Sequence, residues 1–442
     1  MFLLSVLLFP LLSTAAPSGH RDDHAHTVSK RLPSTWFHRS DHPVHELFGR
    51  GAATDGATYA QVGSPTWAAA YPESTPDSKA MPSKWLDALN AAVAAGSIPD
   101  IPASTNLPNQ NPTYPSGFDP NGAVVCSATY KCRNPGDIWD APDSHIGISF
   151  DDGPQPASDK LLKFLGDNNE TATHFMIGVN IVQNPNEFLA AFNMGGDIAV
   201  HTWTHPYMTT LSNENVVAQL GYTSQIIHDS TGGRVPKFWR PPFGDSDNRI
   251  RAIAKEVFGM STVIWNQDTE DWSLTTGGTT AQIINASMTE WITGPKSPGL
   301  IILEHELSDQ SVAAFMSAYP LMKSNKWTTA SVAQIVDGTS AYQNSASSSA
   351  AVALSDILAS NSSNSSTTAS ASVSSSGSSG ASSGASAASK QSSSQVSSST
   401  GSGSATSPST SPSDKPSGAL TNSRMMNPAA LLCILATFML RA

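Results

Sequence analysis

From residue 145 to residue 319, short apolar runs alternate with longer stretches whose apolar residues recur at helical spacing. His145 to Phe150 reads as a strand, and Ser158 to Leu165 as a helix with a stripe of Leu161, Leu162, Phe164 and Leu165. Further strands are expected over Thr171–Ile177, Asp197–Val200, Lys237–Trp239, Thr262–Trp265 and Leu300–Leu303. Helices are expected over Asn186–Phe192, Ser212–His228, Asn248–Val257, Thr280–Ile292 and Gln310–Tyr319. Such alternation calls for a parallel sheet with helices outside, because each parallel pairing needs a crossover. Six or seven units in about 200 residues suit an α/β fold of the (β/α) barrel type, distorted or incomplete, better than an open doubly wound sheet. No glycine-rich phosphate-binding fingerprint follows the first strand, which argues against a nucleotide site.

Polar residues gather where the expected strands end. The first strand runs into Asp151-Asp152-Gly153-Pro154, and the third into His201-Thr-Trp-Thr-His205. The next three run into Arg240-Pro-Pro-Phe243-Gly244, Asp268-Thr-Glu-Asp271-Trp272 and Glu304-His305-Glu306. In a parallel barrel the C-terminal strand ends share one face, so five strands deliver acids, histidines and an arginine to one mouth. The four-residue spacing of His201 and His205 suits one side of a helical turn and a shared metal ion, although either could be a structural histidine. Consecutive side chains at a strand end diverge, so one of Asp151 and Asp152 can bind metal while the other points at a metal-bound water. A His-His-Asp centre with open positions is what a hydrolytic metal site requires.

These five motifs, with Ser149-Phe-Asp-Asp-Gly-Pro154 as the first and Leu303-Glu-His305 as the last, resemble the polysaccharide deacetylases (NodB-like, carbohydrate esterase family 4). The resemblance spans about residues 140 to 340 and is nearest to the fungal chitin deacetylases. It implies a metal-dependent hydrolase of N-acetyl groups on N-acetylglucosamine units in chitin; another acetylated glycan, or chitin binding without catalysis, are the alternatives. It further implies that Asp152, His201 and His205 hold zinc or cobalt and that Asp151 is the general base, in contact with substrate. Arg240 would orient Asp151, and His305 would be the general acid. Asp268, or else Asp271, would hold His305 protonated. The Phe243 N–H would face the oxyanion, and Trp272 and Leu303 would line the acetyl pocket. Three positions depart from the usual pattern: Ser149 for Thr, Phe243 for Tyr, and Glu304 and Glu306 where Ser and Asp are usual.

The flanks read differently. Residues 32–139 form an irregular extension rich in Pro, Gly and aromatics (Trp36, Trp67, Trp85, Tyr114, Trp139), expected to pack on the barrel rather than to stack on sugar. Phe2 to Leu12 followed by Ser13-Thr14-Ala15-Ala16 reads as a signal peptide over 1–16, and Lys30-Arg31 as the end of a propeptide over 17–31; a buried N-terminal helix is the alternative for the first run. From 341 to 417 a Ser-rich tract is expected to be a disordered, O-glycosylated stalk, because its composition cannot bury enough apolar surface to offset chain entropy. Ser417-Gly418-Ala419, a polar spacer and the apolar Ala429–Leu440 suggest a GPI signal over 418–442 with attachment at Ser417, so that a lipid would be the only membrane contact. Cys433 would leave with that tail, so Cys126 and Cys132 are expected to form one disulfide. Asn169, Asn285, Asn361 and Asn364 lie in glycosylation sequons. The net charge of −11, from 24 basic and 35 acidic residues, speaks against nucleic acid as a partner.

Overall fold

The computed structural model describes residues 53–359, except Asn109 and Thr339. The central strand is β1 (His145–Gly153), nine residues long. Around it lie β2 (Thr173–Met176), β3 (Asp197–Val200), β4 (Phe238–Trp239), β5 (Ser261–Thr262), β6 (Gln267–Asp268), β7 (Leu300–Leu303) and β8 (Thr328–Ser331). They pair in the order β5-β4-β3-β2-β1-β7-β6, every pair parallel. β8 runs along His145–Ile148 of β1, and β2 takes over from Ser149. β3 and β7 are buried at every residue, as strands covered on both faces must be.

The α-helices of six residues or more are α1 (Ser83–Ala94), α2 (Ser158–Asp167), α3 (Gly178–Gln183), α4 (Pro185–Asn193), α5 (Asn213–Ser230), α6 (Asn248–Phe258), α7 (Ala281–Thr293), α8 (Asp309–Ser324) and α9 (Val332–Asp337). Local signals set their ends. The Ser212 side chain accepts from the Asn215 N–H at the start of α5, and Asp247 accepts from the Ile250 N–H at the start of α6. Gly259, at φ 67°, ends α6 in the left-handed conformation that glycine adopts without strain. Residue alternation along β7 splits the core. Leu300 and Ile302 meet Phe150, Met288 of α7 and Phe315 of α8 in the outer layer, whereas Ile301 and Leu303 belong with Phe175, Val200 and Trp239.

Among the described residues β5 and β6 do not pair with each other, so the barrel is incomplete, as the strand count suggested. The N-terminal extension is stitched into that seam. The Ile138 N–H donates to the Thr262 carbonyl (2.9 Å), the Ile264 N–H donates to Ile138 (2.8 Å), and the Gly299 N–H donates to Ala141 (3.0 Å). Its aromatics are packed inward: Trp67, Trp85 and Trp139 are buried, while Trp36 lies outside the described residues. Trp85 fits over Gly221 of α5, where an added Cβ would lie 2.7 Å from its ring, and meets Tyr222 and Phe258 edge-on. Trp67 donates its indole N–H to Ser230 (2.9 Å). The Cys126–Cys132 disulfide closes a loop of the same extension, with Cα atoms 5.1 Å apart.

The expected start of the stalk at 341 is corrected, because residues 340–359 pack on the domain. Tyr342 and Ile357 are buried, and the Tyr342 hydroxyl accepts from the Ile198 N–H (3.2 Å). Arg234, itself fully buried, donates to the carbonyls of Ala53 (2.8 Å) and Ala350 (3.1 Å), so one side chain clamps both flanks. Asn344 donates to the carbonyls of Gly233 and Ala353. These apolar anchors and backbone bonds order a stretch whose serine content alone suggested disorder. The remaining stalk, the signal and propeptide segments, and the GPI signal lie outside the described residues, as do Asn361, Asn364 and Ser417.

Trp85→Ala should lower stability by about 3–5 kcal/mol, the usual cost of emptying a buried tryptophan site. Urea unfolding followed by fluorescence measures it; a change under about 1 kcal/mol would mean that the extension does not anchor the barrel.

Candidate active site

β1 ends in an irregularity. Asp151 pairs with Phe175 but Gly153 pairs with Met176, so Asp152 is the extra residue of a bulge. Asp152 adopts φ 68°, a conformation unusual for a residue with a side chain. The bulge lets consecutive carboxylates face different partners. Asp151 stays buried and accepts from Arg240 Nη1 at 2.6 Å. Arg240 also donates to Ser149 Oγ (3.1 Å) and to the Ile264 carbonyl (3.3 Å), and its guanidinium lies 4.2 Å from the Phe175 ring centroid.

His201 follows β3, and its Nδ1–H donates to the Arg240 carbonyl (2.7 Å). That bond fixes the tautomer and leaves the Nε2 lone pair free for a metal. The expected helical turn from His201 to His205 is absent; the segment is a loop with Thr202 at φ 64° and His205 at φ 58°. Gln219 of α5 shapes it by accepting from the N–H groups of Trp203 (2.8 Å) and Thr204 (2.9 Å). The two imidazoles still converge, each with Nε2 3.3 Å from Asp152 Oδ1. Asp152 Oδ1 is buried and has no hydrogen-bond partner among the described residues.

An orphaned carboxylate oxygen facing two imidazole nitrogens fits a divalent cation, and candidate ligand atoms of all three residues lie within 4.8 Å of one another. Two nitrogens and one oxygen suit a divalent transition metal and leave positions open. The electrostatics agree. Burial acts to raise the Asp152 pKa, but the His205, His201 and His305 imidazoles outweigh it and hold the carboxyl well below the usual range. Burial, with help from His201 and His305, pushes His205 down to about 4 against the pull of Asp152, so it is neutral, the form that binds metal.

His305 lies opposite. It extends the β1–β7 pairing as a bridge to Asp151, and its ring nitrogen Nδ1 is 2.6 Å from Asp271 Oδ1. Its backbone N–H donates to Asp271 Oδ2 (2.9 Å). Burial acts to lower the His305 pKa, but Asp271, followed by Asp152 and Asp151, raises it to about 10. The acid holding His305 is therefore Asp271, which corrects the expectation for Asp268. Glu270 at φ 54° turns the chain so that Asp271 points inward, while Asp268 is exposed and accepts from the Glu270 N–H (2.9 Å).

Phe243 is 49% exposed at φ 59°, stacked on Tyr207 with ring centroids 4.1 Å apart and edge-on to His205 at 4.6 Å. Trp272 is 38% exposed, and Leu303 is buried at the end of β7. Glu304 is buried, and burial with the nearby Asp271 raises its pKa well above the usual range. Asn169 and Asn285 are exposed. Sequence reasoning missed Tyr207, Gln219 and Trp265, whose ring centroid lies 5.9 Å from the Arg240 guanidinium. Only Tyr207 left a signal, as an aromatic two residues beyond a candidate ligand.

A family pattern described as polysaccharide deacetylase matches residues 140–262. Chitin deacetylase 3 of Cryptococcus neoformans var. neoformans is 41% identical over 307 residues, which are 68% of this chain and 72% of that protein. Chitin deacetylase 1 of Saccharomyces cerevisiae is 35% identical over 229 residues, 51% of this chain and 73% of the relative. The solved chitin deacetylase of Colletotrichum lindemuthianum matches 46% of this chain and 93% of its own at 22% identity, with a TM-score of 0.42.

Asp271→Asn should lower the His305 pKa by about one to three units, because it removes a carboxylate in contact. The imidazolium, present below about 10 in the native protein, would then be lost at a correspondingly lower pH. Titrating the His305 ring resonances by NMR checks this, and an unchanged pKa would contradict the pairing.

Proposed function

The chain belongs to the polysaccharide deacetylase family, and from that premise we propose that it hydrolyses the N-acetyl groups of N-acetylglucosamine units in chitin, giving chitosan and acetate. One observation carries the proposal. The triad of Asp152, His201 and His205, the Arg240-bound Asp151 and the Asp271-bound His305 all converge at the strand ends of one sheet. Chitin, rather than another acetylated glycan, is favoured because the relatives at 41% and 35% identity are chitin deacetylases.

Asp152, His201 and His205 would hold the divalent cation, zinc or cobalt, which when bound acidifies water and polarises the acetamide carbonyl. Asp151 takes the proton of the attacking water. Arg240 fixes its Oδ1, while Oδ2 lies 3.7 Å from His201 Nε2, on the side of the ligand cluster. As the water oxygen bonds to the acetyl carbon, the Phe243 N–H donates to the oxygen on which charge develops. His305 then gives its proton to the nitrogen, the C–N bond breaks, and amine and acetate part. With its pKa raised to about 10, His305 carries that proton throughout the neutral range. Trp272 and Leu303 border the acetyl methyl.

The flanking segments complete the reading. A signal peptide over 1–16, a propeptide over 17–31 and glycans at Asn169, Asn285, Asn361 and Asn364 suit a secreted protein. A stalk beyond residue 359 and a GPI lipid at Ser417 would tether the enzyme at the outer plasma membrane, beside the wall polymer it acts on.

Purified protein should release acetate from chitin oligomers, lose that activity to a chelator, and regain it with zinc or cobalt. Asp151→Asn should lower kcat by about 10²–10⁴-fold. His305→Ala should do the same with metal content unchanged. Oligomers bound but never cleaved, with any added metal, would make this a binding protein instead.

A further inference from the structure

Behind the reacting groups lies a buried pair that none of the steps above uses. Glu306 and His174 of β2 are both fully buried, with His174 Nδ1 2.9 Å from Glu306 Oε1. Their remaining polar atoms, His174 Nε2 and Glu306 Oε2, are buried and have no partner among the described residues. Such a pair commonly stabilises a fold less than apolar side chains of the same volume would, so its presence here calls for a reason.

The reason lies in what the pair touches. A Cβ added to Gly153 would overlap the Glu306 carboxyl, so that carboxyl rests directly on the backbone one residue beyond Asp152. The three carbonyls of the bulge are tied by hydrogen bonds. Asp151 accepts from the Glu306 N–H (3.1 Å), Asp152 from Asn180 Nδ2 (2.9 Å), and Gly153 from the Ile177 N–H (2.9 Å). In return, the Asp151 N–H donates to Glu304 (3.0 Å). The segment carrying His305 and the bulge carrying Asp151 and Asp152 are thus laced together. The Glu306 side chain fills the space between them at Gly153, and His174 keeps it from rotating away.

We propose that Glu306, oriented by His174, is a positioning residue whose carboxyl props the Asp151–Gly153 bulge where Asp152 meets His201 and His205. It acts through length and shape. An aspartate at 306 would fall short of Gly153 and leave a gap; a glutamine would fill the same space and still accept from His174. The inference rests on the metal-site reading above and concerns how that site is held.

The test is cobalt(II) binding to the metal-free full chain, followed by visible absorbance in competition with a chelator, with melting temperatures recorded alongside. Glu306→Asp should stay folded and bind cobalt about tenfold more weakly or worse, the usual cost of losing support behind a ligand. The conservative Glu306→Gln should bring the affinity back to within about threefold of the native chain. Gly153→Ala presses a methyl group against the same carboxyl and gives a second reading should Glu306→Asp fail to fold; it should weaken cobalt binding too. Native-like affinity in Glu306→Asp or Gly153→Ala, or a loss in Glu306→Gln as large as that in Glu306→Asp, would overturn the inference. A native chain that binds no cobalt would instead sink the metal-site reading itself.

Discussion

Arg240 is the side chain on which the site depends. It is fully buried, and a buried guanidinium is tolerated where its charge is matched; here both Nη atoms are bonded, while Nε has no partner among the described residues. Its Nη1 holds Asp151, its Nη2 bonds to Ser149 and Ile264, and its own carbonyl receives the His201 Nδ1–H. One residue following β4 therefore fixes a carboxylate on β1 and the tautomer of a histidine following β3. The rings of Phe175 and Trp265 flank it, so the charge network forms inside an apolar barrel rather than in water, where it would be much weaker.

From that anchor the chemistry spreads along β1. The bulge at Asp152 separates two neighbouring carboxylates into different environments, one facing a guanidinium and the other two imidazoles. The environments set opposite behaviour in the histidines as well. His205 is driven towards neutrality by burial, whereas His305 is kept charged by Asp271. A guanidinium-bound carboxylate, a triad able to hold a metal and a protonated imidazole can thus coexist in one small pocket at neutral pH. The positive φ angles at Asp152, Thr202, His205 and Phe243 show where the backbone bends to bring these groups together.

Much of this was legible in the sequence where the pattern is dense. β3 and β7 lie at the residues expected, because runs such as Leu-Ile-Ile-Leu have few ways to be buried. β8 was not foreseen: Thr-Thr-Ala-Ser carries no apolar periodicity and is recruited by pairing with β1. α3 opens with Gly178 and is only six residues long, too short for a helical stripe to be read. The motif residues at the strand ends were found because parallel topology sends those ends to one face. What spacing could not give was local conformation. Asp268 and Asp271 compete on paper for His305, and the left-handed Glu270 between them decides it. Likewise the loop from His201 to His205 is shaped by Gln219, a residue distant in sequence and ordinary in composition. The stretch from Tyr342 to Ile357 misled because serine content hides the buried Tyr342, Val352 and Ile357.

The central claim is that a divalent cation belongs between Asp152, His201 and His205. Anomalous diffraction at the zinc edge, from crystals grown with zinc, measures that directly. The account predicts one strong peak bounded by those three side chains, with Asp151 beside it and bonded to Arg240 rather than to the ion. A peak ligated by other residues, or none at that position with the protein folded, would contradict it.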